Sequence, residues 1–121
     1  MRSFKNAWFK RFARREKISD KTLRKAIRQA NDGLIDADLG GNVIKQRIPR
    51  RGQGKSGGYR TIVIFKKDDK AFFIYGFAKS DQANISKQEL QAFKLAAKEL
   101  LALSEKQIEQ LIKNNALMEI A

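Results

Sequence analysis

The chain has 121 residues, 42% of them hydrophobic, with no cysteine, no histidine and a formal net charge of +13. That length suits a single domain over residues 1–121 with a modest core. The missing cysteines exclude disulfides, thiolate metal sites and thiol nucleophiles, and the missing histidines remove the usual neutral-pH base and the commonest zinc ligand.

Taken from the N-terminus, Phe4, Trp8 and Phe12 recur every four residues with Phe9 beside them, while Lys5, Lys10, Arg11, Arg14 and Arg15 mostly fall off that stripe. The spacing predicts an amphipathic helix whose aromatic face packs inward instead of stacking on bases. Ser19 is placed to cap a second helix with Leu23, Ala26, Ile27 and Ala30 inward, and Gly33 to end it. Asn42–Ile48 alternates, and Thr61–Phe65 and Ala71–Phe77 are rich in β-branched and aromatic residues, so three strands are expected. Lys66–Lys70 reads as a polar hairpin connection. Pro49–Gly58 reads as a ten-residue loop holding four of the eight glycines and the single proline.

Ser86 with Glu89, and Ser104 with Gln107, have capping-box spacing and open two further helices. Leu90, Phe93, Ala97, Leu100 and Leu101 form the inner face of the first; Ile108, Leu111 and Ile112 form that of the second. Leu117–Ile120 either adds a short strand or stays loose. The expected fold is α+β: two N-terminal helices, a small antiparallel sheet of three or four strands, then C-terminal helices. No run approaches the roughly 20 apolar residues of a membrane span, and Met1–Arg15 lacks the apolar stretch and cleavage site of a secretory signal. The expected compartment is therefore cytoplasmic, with no membrane contact.

The charge is unevenly spread. Residues 1–28 carry eleven basic and two acidic side chains, Leu39–Lys67 carries eight basic and none acidic, and Ser86–Ala121 carries five of each. A chain this lopsided suits a polyanionic partner bound through phosphates; the plainer alternative is a generally cationic surface. Strand alternation puts Lys45 and Arg47 on one face and Ile44 and Ile48 on the other. If the strands pair as hairpins, Arg60 and Lys79 join Lys45 and Arg47 around one patch, with Arg50, Arg51 and Lys55 at its rim.

Such a cluster, without histidine, cysteine or paired carboxylates, fits RNA cleavage by internal transfer. The substrate's own 2′-hydroxyl is then the nucleophile, and the protein need only orient it, stabilise charge on phosphorus and protonate the leaving 5′-oxygen. Cations close to a lysine lower its pKa and allow acid–base work, whereas arginine acts as an electrostatic clamp. No cofactor and no metal are needed. Tyr59 and Tyr75 are candidate proton donors or RNA contacts, and Phe77 is a candidate stacking platform, against the commoner fate of core packing. Gly54-Lys55-Ser56 resembles the end of a phosphate-binding loop, but Arg50 stands where that pattern needs glycine, and a strand follows where a helix should. Asp32, Asp36 and Asp38 form an acidic cluster best read as solvating a turn.

Ile44–Ile48, Ser56–Val63 and Phe73–Ser80, together with Leu-Ile-Asp-Ala-Asp-Leu-Gly-Gly at residues 34–41, resemble the RelE/ParE superfamily and within it the RelE/HigB-type toxins of toxin–antitoxin pairs. The likeness covers roughly residues 1–103, with residues 104–121 as an extension. It implies a ribosome-dependent mRNA endoribonuclease that inhibits translation and is neutralised by a co-encoded antitoxin, expected to carry a helix-turn-helix. It also implies that Lys45, Arg47, Arg60 and Lys79 are the catalytic set. Family members often place an aromatic or histidine near the start of the closing helix; here Ser80–Ser86 offers only Ile85, so either Tyr75 or Lys79 takes the proton transfer, or the enzyme is slow, or the activity is not cleavage. Two alternatives stand beside this reading: a ParE-like inhibitor of DNA gyrase, and a non-catalytic RNA- or ribosome-binding module.

Overall fold

The computed structural model describes residues 1–50 and 54–121. In chain order the elements are β1 (Arg2–Asn6), α1 (Ala7–Glu16), α2 (Asp20–Asn31), β2 (Ala37–Asp38), β3 (Val43–Arg50), β4 (Gly54–Lys66), β5 (Lys70–Ala78), α3 (Lys87–Leu101), α4 (Glu105–Lys113) and β6 (Leu117–Glu119). The strands form one sheet in the order β2-β3-β4-β5-β1-β6, antiparallel except where β1 runs parallel to β5. No helix among the described residues is long and apolar enough to cross a membrane.

The α+β class holds, but the sheet is larger than expected and mixed. Phe4 is the instructive error. Its spacing to Trp8 and Phe12 continues a helical stripe, yet it lies in β1 opposite Phe72. Asn6 sets the boundary: its backbone is extended and its side-chain oxygen accepts the Phe9 N–H at 2.7 Å, so the helix starts at Ala7. Phe4 and Phe9 consequently serve opposite faces of the sheet.

Pro49–Gly58 is the second correction. β3 continues to Arg50 and β4 resumes at Gly54, with Arg50 paired to Gly54, so most of the expected loop is strand. Gly52 and Gln53 lie outside the described residues. At the C-terminus the strand alternative is the one realised: Leu117–Glu119 pairs with β1 at the edge of the sheet.

The remaining local signals describe the fold well. Ser19 caps α2 and accepts the Thr22 N–H, and Gly33 follows the helix at φ +90°. Both Ser86–Glu89 and Ser104–Gln107 form reciprocal capping boxes.

Two cores result, one on each face of the sheet. Against α1 and α2 lie Phe9, Phe12, Leu23, Ile27, Ile44, Ile48, Val63 and Phe73. Against α3 and α4 lie Phe4, Val43, Ile62, Ile64, Phe72, Ala97 and Ile108, with Ile85, Leu90 and Phe93 packed on them. Each fully buried phenylalanine or isoleucine contributes roughly 1.5–3 kcal/mol, which is how a chain this charged still folds.

Candidate functional site: a basic row across three strands

β3, β4 and β5 form the middle of the sheet, and their registers bring residues from three strands into rows. One row is Lys45–Ile62–Tyr75 and the next is Arg47–Arg60–Phe77. All six lie on the face that carries α3. Lys79 follows β5 in a turn, and its N–H donates to the Gly58 carbonyl at 3.3 Å, one step beyond the second row. Three of the four expected cations thus share adjacent positions on one face, with the fourth at its end.

A β-bulge makes this possible. Ile62 pairs with Tyr75 but Val63 pairs with Phe73, so Ile74 is an extra residue in β5. Ile74 and Tyr75 both turn toward α3, and the alternation that follows brings Phe77 to the same face. Gly76 is carried to the opposite face, where an added Cβ would lie 2.7 Å from Phe12 Cε2. The Asn6 amide donates to the Ile74 carbonyl at 3.2 Å, tying the bulge to the start of α1.

Arg60 is 7% exposed, whereas Arg47 across the ladder is exposed. Two like charges directly opposite in a sheet oppose pairing, usually by a few tenths of a kcal/mol or more, and burying a guanidinium adds a desolvation cost. The two guanidiniums concentrate positive charge at one point of this face, an arrangement suited to an anion.

The residues between Lys79 and Ser86 lie beside the rows. Lys45 Nζ donates to Asn84 Oδ1 at 3.3 Å, an oxygen that also accepts the Ile85 N–H at 2.9 Å. The Tyr75 hydroxyl donates to Gln82 Oε1 at 3.1 Å, and Gln82 Nε2 donates to the Asn84 carbonyl at 2.7 Å. Ile85, where the resemblance leads one to expect an aromatic or histidine, packs into the second core. Burial first, and the Glu89 carboxylate second, push the Tyr75 hydroxyl above the usual tyrosine range, against a smaller opposing effect of the Gln82 hydrogen bond. Tyr75 therefore keeps its proton throughout the neutral range.

Trp8 adds an aromatic wall, its ring centroid 4.6 Å from that of Tyr75. Sequence reasoning did not connect Trp8, Gln82 or Asn84 with the site. Their roles depend on β5 passing the start of α1 and on the path of the chain after Lys79, and no local spacing encodes either.

Other expected contacts lie elsewhere. Tyr59 is on the α1–α2 face and 4% exposed, with its hydroxyl donating to Glu16 Oε1 at 3.0 Å. Burial, followed by Glu16, raises its pKa. Arg50 lies over the Tyr59 ring, 5.5 Å from its centroid, so Tyr59 and Arg50 are separated from the Arg47–Arg60 row by the thickness of the sheet. Phe77 is 5% exposed and works as a wall more than as an open platform. Arg51 and the side chain of Lys55 fall outside the described residues. Of the acidic cluster, Asp38 at the end of β2 accepts the Gly40 N–H at 2.9 Å in a turn, whereas Asp36 Oδ2 reaches across to accept the Arg47 N–H of β3 at 2.7 Å.

Compared with known families, residues 1–120 match the model of the RelE toxin of the RelE/RelB toxin–antitoxin system. No curated protein matches the chain. A family match over nearly the whole length agrees with the α+β fold and the basic sheet face described above: the chain belongs to the RelE toxin family and is the toxin component of a toxin–antitoxin pair.

Proposed function

We propose that this toxin is a metal-independent endoribonuclease that cuts mRNA on the ribosome and so stops translation. The observation that carries the reading is the buried Arg60 directly opposite Arg47, flanked by Lys45, Tyr75 and Lys79. The 2′-hydroxyl oxygen attacks the adjacent phosphorus, the bond to the 5′-oxygen breaks, and a 2′,3′-cyclic phosphate remains. Arg60 and Arg47 stabilise the negative charge that builds on the non-bridging oxygens, in a site partly closed to water where such stabilisation is strongest. Lys45 acts as the base that takes the 2′-hydroxyl proton. The Tyr75 hydroxyl, kept protonated by burial, donates to the leaving oxygen, with Lys79 at the end of the patch as the second donor.

The basic charge beyond the rows supports binding to RNA and to the ribosome through phosphates, with affinity that falls as salt rises. The partner that silences the toxin is its cognate antitoxin, encoded beside it and carrying a helix-turn-helix.

The test adds purified protein to a translating extract and maps the new RNA ends. Cuts within codons, bearing 2′,3′-cyclic or 3′-phosphates, are expected, and they should vanish when ribosomes are omitted. Intact transcripts with arrested translation would favour a binding module; DNA breaks and stalled supercoiling with normal translation would favour a gyrase inhibitor.

A further inference from the structure

Trp8 departs from the inward packing that its spacing predicts. It is 36% exposed, whereas Phe4, Phe9 and Phe12 are buried. The cause is the end of β1. Its pairing with β5 stops at Lys5–Phe73, Asn6 turns the chain into α1, and Trp8 comes to lie beside β5 where β1 no longer runs. There its ring centroid is 4.6 Å from that of Tyr75, on one face of the sheet, and 5.4 Å from that of Phe12, on the other. The Arg15 guanidinium continues the series, 5.6 Å from the Phe12 centroid. Tyr75, Trp8, Phe12 and Arg15 thus form a run of planar groups around the edge of the sheet, and its first member is the proton donor proposed above.

Charge follows the same line. Trp8, Arg11 and Arg15 are spaced by three and then four residues, so they share one stripe of α1. At a rise of about 1.5 Å per residue, Arg11 and Arg15 stand about 4.5 and about 10.5 Å along the axis from Trp8. Both are exposed. The first turn of α1 holds no acidic residue, and Glu16, the single carboxylate of the helix, accepts from the Tyr59 hydroxyl at 3.0 Å and from Arg15 Nε at 3.2 Å. The Arg15–Glu16 pair lies at the surface, where such pairs contribute little and give way to a phosphate.

An exposed indole resting on other rings and followed by guanidiniums supplies what a single strand of RNA needs away from the reacting phosphate: a π-face for a base and cations for the adjoining phosphates. We infer that the RNA strand leaves the cleavage row past Tyr75 and stacks a neighbouring base on Trp8, with the next phosphates on Arg11 and Arg15. Trp8 is then a substrate-binding residue of the nuclease. The inference rests on the RNA reading of the basic row and extends it to α1, which contributes nothing to the row itself.

Trp8 is the single tryptophan of the chain, so emission excited beyond the tyrosine absorption reports on this position alone. Two probes are titrated against the full-length toxin in 150 mM KCl, where the Debye length is about 8 Å. One is a ten-nucleotide 2′-O-methyl oligouridylate, whose blocked nucleophile prevents cutting; the other is an abasic oligomer with the same number of phosphates. Oligouridylate should bind and quench the indole, while the abasic oligomer binds more weakly and leaves the emission unchanged. Read by anisotropy of end-labelled probes, Trp8→Leu should weaken oligouridylate binding about tenfold and abasic binding less than twofold. Trp8→Phe, which keeps a ring, should stay within threefold of wild type. R11Q/R15Q should weaken both probes alike, by about fivefold. Thermal melts check that each variant folds, and if Trp8→Leu does not, the quenching and the Trp8→Phe titration still decide. Emission unchanged at saturating oligouridylate overturns the proposal, as does an equal loss for both probes in Trp8→Leu, or a failure of oligouridylate to bind. None of these measurements reads cleavage: a toxin that cuts RNA but shows no quenching keeps the nuclease reading and loses this one, and a toxin that quenches without cutting does the reverse.

Discussion

Arg47 and Arg60 are direct cross-strand partners, one exposed and one buried, on adjacent strands of the same sheet face. Their repulsion makes function and stability pull apart. Arg47→Ala should cut the rate of RNA cleavage by about 10²-fold, as expected for one lost transition-state donor. The same change should leave the melting midpoint unchanged or raise the stability by up to about 0.5 kcal/mol, because a like-charge pair is removed. A variant that loses stability along with activity would show that Arg47 holds the sheet together.

Tyr75 offers a test of the proton donor. Tyr75→Phe keeps the ring against Trp8 and Phe93 but removes the bond to Gln82. The expected loss of stability is about 1 kcal/mol, and the loss of cleavage rate is tenfold or more. Because burial holds the Tyr75 pKa above the ordinary tyrosine range, titration of Tyr75 should bring no decline below about pH 10. A rate–pH profile that is already falling at pH 8 would remove Tyr75 from the donor role.

Gly76 tests the bulge. An added Cβ would meet the Phe12 ring at 2.7 Å, and Phe12 is itself 4% exposed in a packed core. Gly76→Ala should therefore cost about 1–3 kcal/mol, read as a lower urea midpoint at unchanged m-value. If the midpoint holds, Phe12 has room to retreat.

Arg2 fastens the C-terminal elements. Its guanidinium donates to Glu119, Glu105 and Glu109 at 2.7–2.9 Å, joining β1 to β6 and α4. The bond from Arg2 holds the Glu119 carboxyl below the usual glutamate range. A carboxylate with a depressed folded-state pKa contributes stability above its unfolded pKa and loses it as pH falls through the folded one. Wild type should thus lose stability below the usual glutamate range, and Arg2→Ala should lose less over the same window. With Glu119 about two-fifths exposed, screening limits the effect to about 1 kcal/mol, measured by chemical denaturation at pH 3 and pH 7.

Much of this molecule could be read locally. The caps at Ser19, Ser86 and Ser104 are side-chain bonds to an N–H three residues away, so a short window of sequence contains the whole interaction. Alternation in a strand likewise needs nothing beyond the strand, which is why Lys45 and Arg47 were separable from Ile44 and Ile48. The aromatic spacing at Phe4, Trp8 and Phe12 misled for the same reason: it reports a period and not the partner strand across which Phe4 stacks on Phe72.

What the sequence determined by itself was the cationic balance, the starts of the helices capped by Ser19, Ser86 and Ser104, and which residues of β3 share a face. Tertiary structure decided the parallel pairing of β1 with β5, the extra residue at Ile74 that turns Tyr75 and Phe77 toward the cations, and the meeting of Asn84 with Lys45. The division is physical. A cap or an alternating strand depends on interactions within a few residues, whereas sheet register and cross-strand rows are set by partners tens of residues apart, whose pairing is favourable only once the two cores on either side are packed.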